Sequence, residues 1–212
     1  KVHKKELLSV FHFHHGPGAN QTFRDKSFRF VQDFASKNEI HFFGKKSGVE
    51  LKNETGCRHA RRQALKDIWP KGSLIATGHH EQDLLETRLI RLLRGTGAQG
   101  LPSMREHQKP WFRPLLNVPP RDLKNYLKSL SLTWLEDPTN QETITLRNWL
   151  RLSWLPLLDQ NYPGAQKSLA RSLENLASFS GLSHLQVPAG SALSRAYYLS
   201  CSAHEQRELL SR

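Results

Sequence analysis

The chain has 212 residues, of which 37% are hydrophobic and 24% charged, so it can bury the core of one domain with a small appendage. Its net charge of +12 is compatible with a merely basic protein, but favours a nucleic-acid partner because basic side chains near phosphates release counterions. Two cysteines, Cys57 and Cys201, form no metal-ligand spacing, which argues against a disulfide scaffold or a zinc site. No apolar run approaches the about 20 residues of a membrane helix, and we expect a cytoplasmic protein with no membrane association.

The first half of the chain alternates predicted strands and helices. Thr22 is predicted to cap the first helix, and Pro70 to end the second. The short apolar run in the third strand is typical of a strand buried on both faces of a parallel sheet. The predicted strands cover residues 6–15, 40–44 and 73–80, and the predicted helices cover residues 22–38, 53–69 and 81–94. This order predicts an α/β fold, with a parallel sheet and helices on both faces.

The pattern changes after Gly95. A glycine-rich loop is followed by a short apolar segment at 111–116, a helix opened by prolines, and a last short strand at 132–137. From Leu146 onward the pattern is helical with a break expected at Pro156, which predicts a helical C-terminal segment. No clear period is present from Gly181.

Two carboxylates begin the helix that follows the third predicted strand. Asp83 and Glu86 are three residues apart, so they share one helix face. This face lies where a parallel sheet usually binds its ligands, and the pair could hold an ammonium group or a metal. A solvated acidic helix start explains the same two residues equally simply.

Five short motifs occur in order along the chain. They are His12-Phe13-His14-His15-Gly16, residues 54–61, residues 77–87 with Arg94-Gly95-Thr96-Gly97, Arg113-Pro114-Leu115-Leu116, and residues 134–140 with Arg147-Asn148. Together they resemble the motifs of tRNA(Ile)-lysidine synthetases, which are N-type ATP pyrophosphatases of the PP-loop family. The resemblance covers about residues 7–180.

The resemblance implies a Rossmann-like fold similar to adenine nucleotide alpha hydrolases. Residues 1–142 would be the ATP pyrophosphatase-like domain, and residues 143–212 a helical segment packed on it or linked to it. The implied activity is ligation of L-lysine to C2 of cytidine 34 in the CAU anticodon of tRNA(Ile), through an adenylated tRNA, which changes the codon read from AUG to AUA. ATP and Mg²⁺ would be required, and a homodimer is one assembly that we consider.

The resemblance also implies roles for single residues. Asp83 and Glu86 would be catalytic residues that hold the substrate lysine, and Arg58 would act beside the reacting nucleotide, since its planar fork binds phosphate in two places. The other predicted nucleotide-binding residues are His12, His15, His79, Arg94 and Gly95, and the predicted tRNA-binding residues are Arg61, Arg94, Arg113 and Arg147. No metal site built from protein side chains is predicted.

These roles have simpler alternatives. Arg58 could pair with Glu54 one turn away, and His79 and His80 could be buried and neutral at the end of a strand. The tryptophans at positions 111, 134, 149 and 154 are expected in the core rather than as base-stacking platforms.

The chain departs from the family pattern in several places. The family's Ser-Gly-Gly-x-Asp-Ser phosphate loop is not found, and the segment 16–18 follows the wrong strand to replace it. We expect that truncation explains this loss and that the chain by itself is inactive. Gln82 replaces a family Asp, and Leu84 replaces a Gln, which would remove a polar group from the edge of the site. Arg62 and His14 replace a Tyr and an Asn.

Two other functions remain open. A non-catalytic tRNA-binding protein is favoured by Gln82, Leu84 and the missing phosphate loop. Another PP-loop tRNA-modifying enzyme, such as a thiolase, is less well supported because that chemistry generally uses cysteine pairs or iron–sulfur ligands, and this chain has two isolated cysteines.

Overall fold

The computed structural model describes residues 8–179, apart from Ala19, Lys52 and residues 69–71. The predictions for Pro70 and for the segment from Gly181 therefore lie outside the described residues. No helix among the described residues is both long and apolar enough to cross a membrane. The described residues divide into two units, one formed by residues up to 74 and by 133–137, the other by residues 75–132 and those from 138 onward.

The first unit contains two parallel strands and two helices. Strand β1 (Ser9–His14) pairs with β2 (His41–Lys46), in a register that places Ser9 opposite His41 and His14 opposite Lys46. Helix α1 (Gln21–Lys37) connects them and packs against both, and α2 (Glu54–Ile68) contacts β1. A parallel pair requires such a crossover, so the predicted strand–helix–strand order is confirmed.

An asparagine precedes each helix of this unit. Residue Asn20 precedes α1 with a left-handed φ of 65° and makes no side-chain cap. The prediction that Thr22 caps α1 is wrong, because Thr22 already lies inside the first helical turn. At α2, the Oδ1 atom of Asn53 accepts a hydrogen bond of 2.7 Å from the Gly56 amide, so Asn53 caps this helix rather than belonging to it.

The second unit has a small mixed sheet. Strand β3 (Ile75–Ala76) pairs in parallel with β5 (Trp111–Phe112), and β4 (His107–Gln108) pairs with β5 in antiparallel orientation. The third predicted strand, 73–80, is therefore much shorter than expected. From Thr77 the chain leaves the sheet after one more backbone hydrogen bond, which the Thr77 amide donates to the Phe112 carbonyl at 2.9 Å. The β4–β5 hairpin was not predicted.

The strand predicted at 132–137 is absent from the structure. Its first residue, Leu132, is exposed, and the Trp134 indole bonds locally to the Glu136 carboxylate at 3.2 Å. The apolar residues of this segment thus do not supply the buried face that a strand needs.

Helices form the rest of the second unit. They are α3 (Glu81–Leu93), α4 (Pro120–Ser129), α5 (Leu146–Trp149), α6 (Leu155–Asn161) and α7 (Ala165–Phe179), with 3₁₀ turns at Ala98–Gly100 and Pro138–Gln141. A π-helical turn at Leu150–Trp154 joins α5 to α6. The break predicted at Pro156 does not occur. Pro156 is the second residue of α6, and the wider π turn before it relieves the clash of the proline ring with the preceding turn.

One apolar cluster joins the helices of the second unit. Leu85 and Leu89 of α3 meet Leu150 and Leu155 near the π turn, and Leu173 of α7 closes the cluster. An ion pair of 2.6 Å between Arg88 Nη1 and Glu174 Oε2 also links α3 to α7. The helical segment after residue 143 therefore contributes directly to the core that supports α3.

Truncation of Leu173 tests this packing. Leu173 is 2% exposed, whereas Leu176 on the same helix is 47% exposed. We expect Leu173→Ala to lower the free energy of unfolding by about 2–5 kcal/mol, because it leaves a cavity against α3. Leu176→Ala should change it by about 0.5 kcal/mol or less. Urea denaturation measures both, and equal effects would contradict the packing described here.

Candidate active site

The site is organised at the start of α3. The backbone leaves β3, passes through residues 77–80 and enters the helix at Glu81. The Oδ2 atom of Asp83 accepts a hydrogen bond of 3.1 Å from the His80 amide, just before the helix. A carboxylate in the first turn also interacts favourably with the positive end of the helix dipole. The first turn of α3 therefore holds the Asp83 carboxylate in place, as expected for an acidic residue at the start of a helix.

An arginine from the π turn binds both predicted carboxylates. Arg151 contacts Glu86 through two hydrogen bonds, Nε to Oε1 at 2.7 Å and Nη2 to Oε2 at 2.8 Å. The same Nη2 atom donates to Oδ1 of Asp83 at 3.1 Å. Asp83 and Glu86 thus do lie on one helix face, and the cation between them belongs to the chain itself.

Burial differs strongly within the cluster of Asp83, Glu86 and Arg151. The side chain of Glu86 is 0% exposed, whereas those of Asp83 and Arg151 are 16% and 25% exposed. Arg147, one turn before Arg151, lies 3.9 Å from Glu86 through Nε and donates from Nη2 to Thr87 Oγ1 at 3.1 Å. Glu86 is therefore enclosed by arginines, while Asp83 and Arg151 retain an accessible side.

The charges in the cluster depend on one another. Burial raises the pKa of Glu86, and the hydrogen bond and positive charge of Arg151 oppose this rise. The hydrogen bond to Glu86 raises the pKa of Arg151, which therefore stays protonated. A buried carboxylate remains ionised only with such a partner, so Glu86 and Arg151 form one functional unit.

Sequence reasoning missed Arg151. Its partners lie 65 and 68 positions earlier in the chain, and no local pattern reports a pairing over that separation. The available signal was its spacing of four from Arg147, which places both arginines on the same helix face. Arg147, predicted to bind tRNA, faces Glu86 and Thr87 in the structure.

The other predicted residues of the second unit lie near its three-stranded sheet or at the end of α3. His79 follows β3, with Nδ1 at 2.8 Å from Thr77 Oγ1. Arg94 and Gly95 are exposed at the end of α3, where Gly95 has a φ of 79° that favours glycine. Arg113 is 9% exposed and donates to the Arg105 carbonyl at 2.9 Å, so it supports the hairpin from inside. The tRNA contacts predicted for Arg94 and Arg113 stay predictions.

Two departures from the expected side-chain environment concern Leu84 and the tryptophans. Leu84 is 8% exposed, so it is a core residue rather than a residue on an open edge. Trp154 packs against the apolar cluster as expected, whereas the core assignment of Trp149 is wrong, because this side chain is 42% exposed.

The first unit contains the remaining predicted residues. His15 follows β1, and burial, with the nearby charges of Arg61 and Arg24, lowers the pKa of His15. His12 packs edge-on against the Phe28 ring at 5.6 Å, and burial likewise lowers the pKa of His12. The predicted group His12, His15 and Arg61 is thus brought together near the end of β1.

Arg58 lies on α2 with an exposed side chain. The role predicted for Arg58 beside the reacting nucleotide stays a prediction.

The glycine-containing loop 16–18 is filled by the protein itself. The Gly16 amide donates to His14 Nδ1 at 3.0 Å, and Arg24 donates to the Gly16 and Pro17 carbonyls at 3.1 Å. A Cβ atom on Gly16 would lie 2.6 Å from the Val49 carbonyl oxygen. With its amide engaged and its glycine packed, this loop is not shaped as a phosphate cradle.

No group of three or more His, Cys, Asp or Glu side chains within the described ranges could hold a metal ion.

Comparison with known proteins identifies the family. The profile described as "PP-loop domain" matches residues 1–158. A protein of Bdellovibrio bacteriovorus named tRNA(Ile)-lysidine synthase is 42% identical over 219 residues, covering 99% of this chain and 69% of that protein. The chain belongs to the tRNA(Ile)-lysidine synthase family.

A second member of this family, from Pseudomonas putida, is 34% identical over 185 residues, which are 85% of this chain and 43% of that protein. The chain therefore spans about two thirds of the length of the first relative and less than half of the length of the second. The family predicted from the sequence motifs is confirmed.

A solved structure shows the fold. The U34-tRNA thiolase NcsA from Methanococcus maripaludis, with its 4Fe-4S cluster, matches with a TM-score of 0.58 and 19% identity, covering 79% of this chain and 60% of that chain. At this identity the likeness concerns the fold alone. The predicted Rossmann-like α/β fold with a helical C-terminal region is confirmed.

The buried ion pair gives a stability prediction. Glu86→Gln leaves the Arg151 cation without its buried partner, and we expect a loss of about 3–5 kcal/mol in the free energy of unfolding. Asp83→Asn keeps the two bonds between Arg151 and Glu86, and should cost about 1 kcal/mol. Chemical denaturation of the two isosteric variants decides the point. Equal losses would show that Glu86 is not the principal anchor of Arg151.

The histidines of the first unit give a pH prediction. Because the folded pKa of His15 is lowered, the unfolded chain takes up its proton at a higher pH than the folded chain. The stability from His15 is therefore present above the ordinary value of 6.5 and is lost as the pH falls through the lowered folded value. NMR titration should give a midpoint below 6.5, and His15→Gln should flatten the acid-side slope of stability. A midpoint at or above 6.5 would contradict the burial described here.

Proposed function

We propose that this chain forms the part of a tRNA(Ile)-lysidine synthase that joins L-lysine to C2 of cytidine 34 in the CAU anticodon of tRNA(Ile), with consumption of ATP. The modified anticodon would read AUA in place of AUG. The observation that carries the proposal is the cluster of Asp83, Glu86 and Arg151 at the start of α3, within a chain of this family. We also propose that the protein acts in the cytoplasm, and a homodimer stays a prediction.

The cluster suggests different roles for the two carboxylates. Glu86 is enclosed, so it cannot meet a substrate directly in this arrangement; it holds Arg151 in place. Asp83 and Arg151 are partly accessible and adjacent, and they offer a carboxylate beside a guanidinium group. A zwitterionic amino acid requires this pairing of charges, because an ammonium group binds a carboxylate and a carboxylate binds a guanidinium group.

The reaction would proceed in two steps. ATP converts the C2 carbonyl oxygen of the cytidine into an adenylate and releases pyrophosphate, and the deprotonated ε-amine of lysine then displaces AMP at C2. Mg²⁺ bound with the ATP phosphates would neutralise the leaving pyrophosphate. The contribution of Asp83 and Arg151 is to hold lysine in one orientation, which lowers the entropic cost of the second step.

The nucleotide would be held by the residues predicted from the motifs, namely His12, His15, Arg58, His79, Arg94 and Gly95. These roles rest on the resemblance of the motifs, since the Nδ1 atom of His15, which has no hydrogen-bond partner, is itself buried. Exposed Arg61 and Arg94 would suit contacts with tRNA phosphates.

The non-catalytic alternative is less well supported by the described residues. It depended in part on Leu84 as a lost polar group at the site edge, but Leu84 is buried in the core. The accessible pair of Asp83 and Arg151 also favours a working site, because opposite charges side by side suit an amino acid.

Asp83→Asn tests the lysine site in the full-length protein that contains this chain. We expect a tenfold to hundredfold rise in the lysine Michaelis constant or fall in the transfer rate, because a charge-assisted bond worth about 1.5–3 kcal/mol is lost. Adenylation involves ATP and cytidine, so pyrophosphate exchange that depends on tRNA should persist.

Arg58→Lys provides the contrast, since it keeps the charge but loses the planar fork. It should impair pyrophosphate exchange before it impairs the use of lysine. If Asp83→Asn abolishes exchange and transfer to the same extent, Asp83 does not bind lysine and the division of roles fails.

A further inference from the structure

Helix α4 exposes a line of cations that the proposed reaction does not use. Arg121, Lys124 and Lys128 are all exposed, with 87% of the Arg121 side chain accessible. Their spacing of three and four residues places them on one helix face, about 10 Å long. Leu123 and Leu127 lie on another face and are half-buried, so packing holds α4 with its cations turned to solvent.

The charge of α4 fits a polyanion. Asp122 is the one acidic residue of the helix, and its contact with Arg121 is an exposed pair at 3.7 Å, which is worth little in water. The exposed Tyr126 ring lies on the opposite face of α4 from this line of cations, so the charges carry the argument.

The sheet places the start of α4 beside the start of α3. Strands β3 and β5 are parallel, so the segments that follow them emerge at the same edge. These segments lead into α3 and α4, and the Glu81 amide donates to the Val118 carbonyl at 3.2 Å. Val118 lies two residues before Pro120, the first residue of α4. The cationic line therefore begins at the edge that carries Asp83 and Glu86.

We propose that Arg121, Lys124 and Lys128 bind the phosphate backbone of the RNA strand that flanks the modified nucleotide. This inference rests on the proposed function, because it requires an RNA substrate whose target base reaches the start of α3. A face about 10 Å long can meet about three successive phosphates of one strand. Its contacts orient the strand and carry no sequence information.

The test uses the full-length protein and tRNA(Ile) transcript. A triple variant, Arg121→Gln with Lys124→Gln and Lys128→Gln, removes the line of charge. A matched control, Lys26→Gln with Arg29→Gln and Lys37→Gln, removes the same charge from exposed positions of α1. A third variant, Arg121→Lys with Lys124→Arg and Lys128→Arg, keeps the charge and shows whether the helix tolerates substitution.

The α4 variant should bind tRNA about tenfold to a hundredfold more weakly at moderate salt. Its slope of log affinity against log salt should fall by about 2, since each phosphate contact contributes about 0.7 for a single strand. The α1 control and the charge-preserving variant should remain within about threefold of the unaltered protein, and lysine binding measured without tRNA should be the same in all four proteins.

Other outcomes overturn the proposal. Equal losses in the α4 and α1 variants would mean that only net charge matters, while the proposed lysine ligation stands. A changed oligomeric state of the α4 variant with unchanged tRNA affinity would assign the face to a second copy of the chain. Failure of the unaltered protein to bind or modify tRNA would remove the proposed function itself, and the inference with it.

Discussion

The pairing of Glu86 with Arg151 is the interaction on which the second unit depends. A fully buried carboxylate costs several kcal/mol unless a cation and hydrogen bonds compensate it, and Arg151 supplies both at 2.7 and 2.8 Å. This requirement holds the π turn against α3. Leu150 and Leu155 flank the arginine and fill the same apolar cluster as α3, so packing and charge neutralisation select one arrangement.

The same constraint shapes the candidate chemistry. Glu86 holds the Arg151 side chain in place. Arg151 Nη2 therefore lies 3.1 Å from Asp83 Oδ1 before any substrate binds. A preorganised pair of opposite charges binds an amino acid at a lower entropic cost than two mobile side chains would. The chain belongs to the tRNA(Ile)-lysidine synthase family, and the proposal of lysine as the ligand rests on that membership, while the paired charges fit an amino acid in general.

Local features of the fold were predictable from the sequence, whereas long-range pairings were not. The three-residue spacing of Asp83 and Glu86 placed them on one face of α3, and the structure agrees. Arg151 carried no comparable signal, because its pairing is decided by packing between segments 65 residues apart. The apolar run 73–80 predicted a longer β3 than the structure contains, for a related reason. The length of β3 is set by its partner β5, which is itself two residues long. At Pro156 the sequence rule against proline in helices was overridden by a π turn.

The most direct test of the account is transfer of isotope-labelled lysine to tRNA by the full-length protein. With ATP present, label should attach to the first anticodon nucleotide of a transcript that carries CAU. A transcript that differs only in having UAU should remain unlabelled, because uridine shares the C2 carbonyl of cytidine but lacks its 4-amino group and its unprotonated N3. Omission of ATP should abolish the transfer. Absence of label on the CAU transcript, or equal labelling of both transcripts, would contradict the account.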